Sequence, residues 1–443
     1  MLRLTEKSEY LHEDLRMLAA DFCVAVDGFR RDMAPSSLES IQLQLQVELA
    51  RTELELGRGR RRKKKRSSMI QRRCLRNREL LSFRHSHETA IKLYEELLKH
   101  RRSLLHQIGD ACAWLVLRAD PHLIMPHCLP AANPRLPQGI GLYAPTQIRR
   151  EAHKSVRFLV MQCDLTRCLG IGDLLVVRAD GRWVRPIAFE VKASEDQTSD
   201  VEIDAYLTAY CSTHPLDREM LSEFCQILEF TEGDKRLSVR AERQIQRLQE
   251  RGNLLWELSR FQTETLPNTG HWERLREVLD SAARDGSAIV EAEPGIVFVA
   301  IRNRVEDDPQ IEIQHTLSFL KRSNLTDTTF GLTSLDALYE SGYLTALIAP
   351  IPLWNLPVEH RISLLTREIF FGCLTSPTVW QEAFANHGIE MLDTDDIWTL
   401  SRGERSLRWD RIETRKLAAG AAFGAFSPKQ IAEVVSSSYF EKD

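Results

Sequence analysis

At 443 residues, 43% hydrophobic and 28% charged, the chain has material for two or three cored domains of ordinary soluble composition. Its nine cysteines are scattered and contain no Cys-x-x-Cys pair, which excludes a disulfide framework and a zinc ribbon. The net charge of −4 hides an asymmetry, because residues 57–78 hold 12 Lys or Arg and no acid, leaving −16 on the remainder.

The first residues, with Arg3, Glu6 and Lys7, lack the apolar centre of a signal peptide. The most apolar later stretch, 343–357, is broken by Pro350 and Pro352 and is too short to span a bilayer. A cytoplasmic protein with no membrane partner is the expectation. His122, His127 and Cys128 lie close together but lack a second pair of ligands, and they read as loop residues.

Leu11, Leu15, Leu18 and Phe22 recur at helical spacing, and 41–56 is rich in Leu, Gln and Glu with no Gly or Pro. Two antiparallel helices follow, joined by a turn at 33–37 with Ser36 or Ser37 as N-cap. They form a helical arm over 1–85, which would equally serve as a cap on the next domain or as an oligomerisation device. Within it, Arg60, Arg61, Arg62, Lys63, Lys64, Lys65 and Arg66 make a run dense enough to repel itself. The sequence predicts a disordered or extended basic loop there unless an anion is bound. Nucleic-acid phosphate is the natural anion, bound with salt-dependent affinity; the alternative is a solvated linker.

Helical periodicity returns from 87 to 117. Residues 119–150, with six prolines, predict a loop. The run 156–161 predicts a buried strand. Then Leu174-Leu175-Val176-Val177, Asp180-Gly181 and Ile187-Ala188-Phe189 predict a hairpin with a tight turn. A two-residue turn would set Asp173 opposite Ala188, one diagonal step from Glu190. Strand alternation then puts Asp173, Glu190 and Lys192 on one face. Two carboxylates suit Mg²⁺ (or Mn²⁺), which takes a few hard oxygens and keeps several waters, and the carbonyl of Val191 adds a further donor. Lys192 would orient the attacking water or stabilise the phosphorane.

Asp173 followed by Phe189-Glu190-Val191-Lys192 resembles the signature of the PD-(D/E)xK nuclease superfamily, with Ile171-Gly172-Asp173 in place of a literal Pro-Asp. The resemblance covers roughly 86–255. It implies an α/β fold, a restriction-endonuclease-like core of mixed sheet flanked by helices, between the helical arm and a C-terminal mixed α/β domain (256–443) of unknown role. It also implies an opening helix that gives the metal an acid, for which Glu88, Glu95 and Asp110 are candidates; Asp110 stands among small and apolar residues. A later helix, 241–249, would bring Gln244 to the catalytic site and Arg243 to nucleic acid. The expected activity is Mg²⁺-dependent endonuclease cleavage of DNA, in the manner of antiviral defence effectors, with a separate NTPase or sensor and a second copy of the chain as partners. The alternative is a non-catalytic nucleic-acid-binding or assembly subunit on the same fold.

Overall fold

A computed structural model of the chain describes residues 2–73, 78–119, 121–124, 127, 136–137, 140–169, 172–179, 186–192, 206–210, 218–227, 271–293, 295–302, 333–334, 350–394, 397–409 and 428–440. Described side chains do not include those of Arg60, 62–73, Glu190 and Lys192. Residues 1–116, 133–211 and 215–236 form one compact unit, and 117–132, 212–214 and 237–443 form a second.

The first unit opens with three helices, α1 (Leu2–Asp32), α2 (Pro35–Arg73) and α3 (Arg78–Val116). Their apolar stripes meet as expected from the spacing. Leu15, Phe22, Leu45 and Leu105 are fully buried, and Leu11, Leu56 and Leu98 form one layer. The turn between α1 and α2 is closed by Asp32, not by a serine cap: its carboxylate accepts from the Ala34 N–H at 2.9 Å and the Ser37 hydroxyl at 2.7 Å. Arg101 on α3 ties the bundle together by pairing with Asp14 of α1 and Glu48 of α2.

The basic run is not an extended loop. α2 continues through it to Arg73. Arg and Lys are good helix formers, and two glycines cost only about 1 kcal/mol each relative to Ala. Acids also stand close by, with Arg58 paired to Glu55 at 3.0 Å and Glu95 of α3 beside Gly59.

After the bundle the chain forms α4 (Pro121–Ile124), which belongs to the second unit, and α5 (Ile140–His153), which belongs to the first. The latter replaces part of the expected proline-rich loop and carries Pro145 inside it. Proline costs α5 a backbone hydrogen bond, but Ala144, Ile148 and Ala152 give the helix an apolar face that is buried.

Strands β1 (Phe158–Gln162), β2 (Leu174–Arg178), β3 (Ile187–Lys192) and β4 (Tyr206–Tyr210) form a sheet in that order. Every described pair is antiparallel, so the sheet is a meander and not the mixed sheet expected. Phe158, Val160, Leu174, Val176, Ile187 and Phe189 line one face. They pack with α5 and with Met220 and Phe224 of α6 (Arg218–Ile227); the Phe224 ring lies 4.9 Å from Phe189 and 5.4 Å from Phe158.

The outer edge of β1 is occupied by side chains. Gln42 of α2 donates its amide to the Val160 carbonyl and accepts from the Gln162 N–H, both at 2.8 Å. His153 Nε2 accepts from the Val160 N–H at 3.0 Å, so Nδ1 carries the proton and donates to Glu39 at 2.8 Å. Arg149, fully buried, donates to the same Glu39 carboxylate and to the Gln162 side chain. Burial opposes ionisation of Glu39, but the His153 hydrogen bond and the Arg149 charge outweigh it and hold the carboxyl below its ordinary range.

In the second unit, α7 (Trp272–Asp285) packs on β5 (Ser287–Glu293) and β6 (Ile296–Arg302), where the apolar runs 288–290 and 295–301 by themselves predict strands. These join β7 (Thr333–Ser334) and β8 (Ile369–Thr375) in the antiparallel order β5-β6-β8-β7. The run 362–371, which taken alone predicts a helix, is divided. α8 (Val358–Leu365) ends there, Arg367 takes φ 59°, and 369–371 begin β8. A short apolar run reads alike as buried helix or strand. After α9 (Pro377–Ala385), strands β9 (Glu390–Thr394), β10 (Ile397–Arg402) and β11 (Arg405–Trp409) make a three-stranded sheet. Trp398 sits 4.8 Å from Trp380 and 6.0 Å from Trp409 in its aromatic core.

Candidate active site

The hairpin forms, but in a different register. Leu174 pairs with Phe189 and Val176 with Ile187, two residues out from the pairing a two-residue Asp180-Gly181 turn would impose. β2 ends at Arg178 and β3 begins at Ile187, and residues 180–185 between them, the expected turn among them, lie outside the described residues. A shift of two preserves the faces and draws Asp173 nearer to Glu190 than the tight turn would.

Three backbone interactions fix Asp173. Its N–H donates to the Phe189 carbonyl at 2.7 Å, and its carbonyl accepts from the Cys163 N–H at 2.9 Å. Its carboxylate Oδ2 accepts the Val191 N–H at 2.6 Å. Gly172, with φ 75°, takes the left-handed turn into the strand that glycine adopts without steric cost. The structure therefore brings the Asp173 carboxylate onto the backbone between Glu190 and Lys192. Those two residues hold places in β3 opposite Thr208 and Tyr206 of β4.

Sequence reasoning passed over a neighbouring acid, Asp164. It lies in the 3₁₀ turn 163–165 directly after β1, and the antiparallel pairing of β1 with β2 sets that turn beside the start of β2. The Cys163 thiol is pushed well above its ordinary range, by burial first and then by the charges of Asp164 and Asp173. The signal was available: in an antiparallel pair, the residue leaving one strand is the neighbour of the residue entering the next.

Asp110 is completely buried, and its Oδ1 accepts the N–H groups of Arg167 at 2.7 Å and Cys168 at 2.8 Å. Burial raises its pKa, against the opposing pull of those two hydrogen bonds and the Arg167 charge. It holds the connection that leads from β1 to Asp173. Gly109 lets α3 approach that connection, since a Cβ there would lie 2.0 Å from the Leu165 carbonyl oxygen. Arg167 itself is buried, at 8% exposure. Glu95 stands beside Gly59 of α2, about 22 Å along α3 from Asp110 at 1.5 Å per residue, and Glu88 lies farther still. Of the three helix acids, only Asp110 is at the sheet end of the bundle.

Gln244 and Arg243 fall outside the described residues. Residues 60–66 occupy consecutive positions of α2, and Arg61 is exposed. Among the described residues no group of three or more His, Cys, Asp or Glu is arranged to hold a metal ion, and none of the helices is long and apolar enough to cross a membrane. Asp173 and Glu190 still fit a hard divalent cation in kind, because their donors are carboxylate oxygens and the ion asks for one or two of them plus water. No family model matches this chain, and neither curated proteins nor solved structures give a significant match.

Proposed function

We propose that the chain is a metal-dependent nuclease that hydrolyses phosphodiester bonds, with DNA as substrate and a role as an antiviral effector. The observation that supports this is the 2.6 Å hydrogen bond from the Val191 N–H to the Asp173 carboxylate, which ties the first acid to the strand segment bearing Glu190 and Lys192. Asp173 and Glu190 would hold Mg²⁺ or Mn²⁺, with the Val191 carbonyl as a further donor. When bound, such an ion neutralises phosphodiester charge and lowers the pKa of water. Asp173 is positioned for its part by backbone bonds on both sides, which fixes the carboxylate before substrate arrives. Lys192 orients the attacking water and stabilises charge on the phosphorane. One such site cuts one strand, so a double-strand break calls for a second copy of the chain.

The second reading, a nucleic-acid-binding or assembly subunit without catalysis, is favoured by the continuous basic segment of α2. One assay separates them. Purified chain is incubated with supercoiled plasmid and Mg²⁺ or Mn²⁺, beside Glu190→Ala and an EDTA control. Metal-dependent nicking that disappears in the variant is the expected result. Retained binding with no nicking under any metal, also with an added partner NTPase or sensor, would establish the second reading.

A further inference from the structure

We propose that the three-helix bundle is a spacer: it holds a phosphate-binding tip at a fixed distance from Asp173, so that one nucleic-acid duplex must reach both. The inference rests on the reading of Asp173 as the cleavage centre. Four observations carry it. First, α2 is a single helix from Pro35 to Arg73. Second, its near end is fastened next to the candidate site. Gln42 bonds to Val160 and Gln162 of β1, and the next residue, Cys163, donates to the Asp173 carbonyl. Third, α3 is fastened at the same place, with Gly109 against Leu165 and Asp110 on the N–H groups of Arg167 and Cys168. Fourth, the two helices stay side by side away from the sheet, through the pairs Arg101–Glu48 and Arg102–Glu53 and the approach of Glu95 to Gly59.

The charge follows from position alone. Seven consecutive basic residues, 60–66, occupy nearly two turns of α2. At 1.5 Å per residue, Arg60 lies about 27 Å and Arg73 about 46 Å along the axis from Gln42. Phosphates on one strand repeat every 3.4 Å, so these distances correspond to about 8 and 14 base pairs. Consecutive cations without interleaved aromatics bind backbone and do not read bases. The tip therefore selects substrate by length and not by sequence.

The test uses the full chain and labelled duplexes of unrelated sequence, from about 6 to 30 base pairs. Binding is followed by fluorescence anisotropy with Ca²⁺, and cleavage in parallel with Mg²⁺. The comparison variant replaces residues 60–66 with Gln, which removes charge while keeping helix propensity; circular dichroism checks that the helices remain. Wild-type affinity is expected to rise at least tenfold between about 8 and 14 base pairs and then level off, with a steep salt dependence only above that length. The Gln variant should bind all lengths as weakly as the wild type binds the shortest. An affinity that grows only in proportion to length, or an equal rise in the variant, would overturn the spacer. Length-dependent binding with no cleavage at any length, also with an added partner NTPase or sensor, would instead overturn the nuclease reading and leave the length dependence to a non-catalytic binding subunit.

Discussion

A Cβ on residue 109 would lie 2.0 Å from the carbonyl oxygen of Leu165, so helix α3 and the turn after β1 are in backbone-to-backbone contact. Gly109→Ala forces them apart, because the atom that blocks it belongs to the main chain. The expected loss is at least the 1–3 kcal/mol typical of overpacking, roughly, together with a lower nicking rate as the start of β2 shifts. Chemical denaturation beside the plasmid assay checks it; unchanged stability would refute the close contact of Gly109 with Leu165.

Asp110 gives a pH signature. Its pKa is raised by burial, so the folded chain binds a proton that the unfolded chain has released. Stability from this group is complete below the ordinary carboxylate pKa of about 4 and is lost as pH rises through the folded value. Asp110→Asn keeps an acceptor for Arg167 and Cys168 and removes the titration. The variant should therefore gain on the wild type as pH rises across that window. A constant difference between the two unfolding curves would disprove the assignment.

Glu39 predicts the opposite slope. Its carboxyl is held below the ordinary range, so its contribution is complete above that range and fades as pH falls through the folded value. Glu39→Gln leaves the guanidinium of Arg149 buried without its counter-charge, at a cost of about 3–5 kcal/mol near neutral pH. The gap between variant and wild type should narrow on acidification, which a series of thermal melts would show. A gap that widens instead would refute this.

Lys192→Ala should lower the single-turnover cleavage rate about 10²–10³-fold, the usual cost of one transition-state donor, while binding changes less than about twofold. Weakened binding with an unaltered rate would make Lys192 a phosphate anchor and remove it from the chemistry.

In the second unit, Trp398→Ala should cost about 3–5 kcal/mol, because the ring is fully buried against Trp380 and Trp409. Near-UV circular dichroism of the melting unit would register it. A loss below about 1 kcal/mol would contradict that packing.

Periodicity alone located α1 and α3, since Leu11, Leu15, Leu18 and Phe22 repeat on one helical face. Alternation and β-branched content located β1, the hairpin, β5 and β6. What escaped was set by neighbours distant in sequence. Self-repulsion argued against a helix through 60–66, yet the acids that lie near its base come from α2 and α3 and cannot be seen in the run itself. Pro145 argued against α5, whose support is the sheet it covers. The Asp180-Gly181 dipeptide argued for a tight turn and gave a register two residues off. Tyr206–Tyr210 went unnoticed as a strand, and Asp164 as a neighbour of Asp173, because each matters only once the sheet is assembled. The faces of Asp173, Glu190 and Lys192 came through the register error, since a slip of two leaves alternation intact.

Gln42 also closes the outer edge of β1 to other strands. A primary amide presents one acceptor and one donor, the same pair that a passing β-strand would offer, and α2 delivers it to the exposed rim of β1. With His153 taking the N–H of Val160, both main-chain groups of that residue and the N–H of Gln162 are already engaged. Another chain could extend the sheet at β1 only by first prising α2 away, so the amide works as a stopper against fibril-like stacking. The Val160 carbonyl and the Gln162 N–H, which would have made β1 sticky, are instead spent on fixing the helix that leads out to the positive tip.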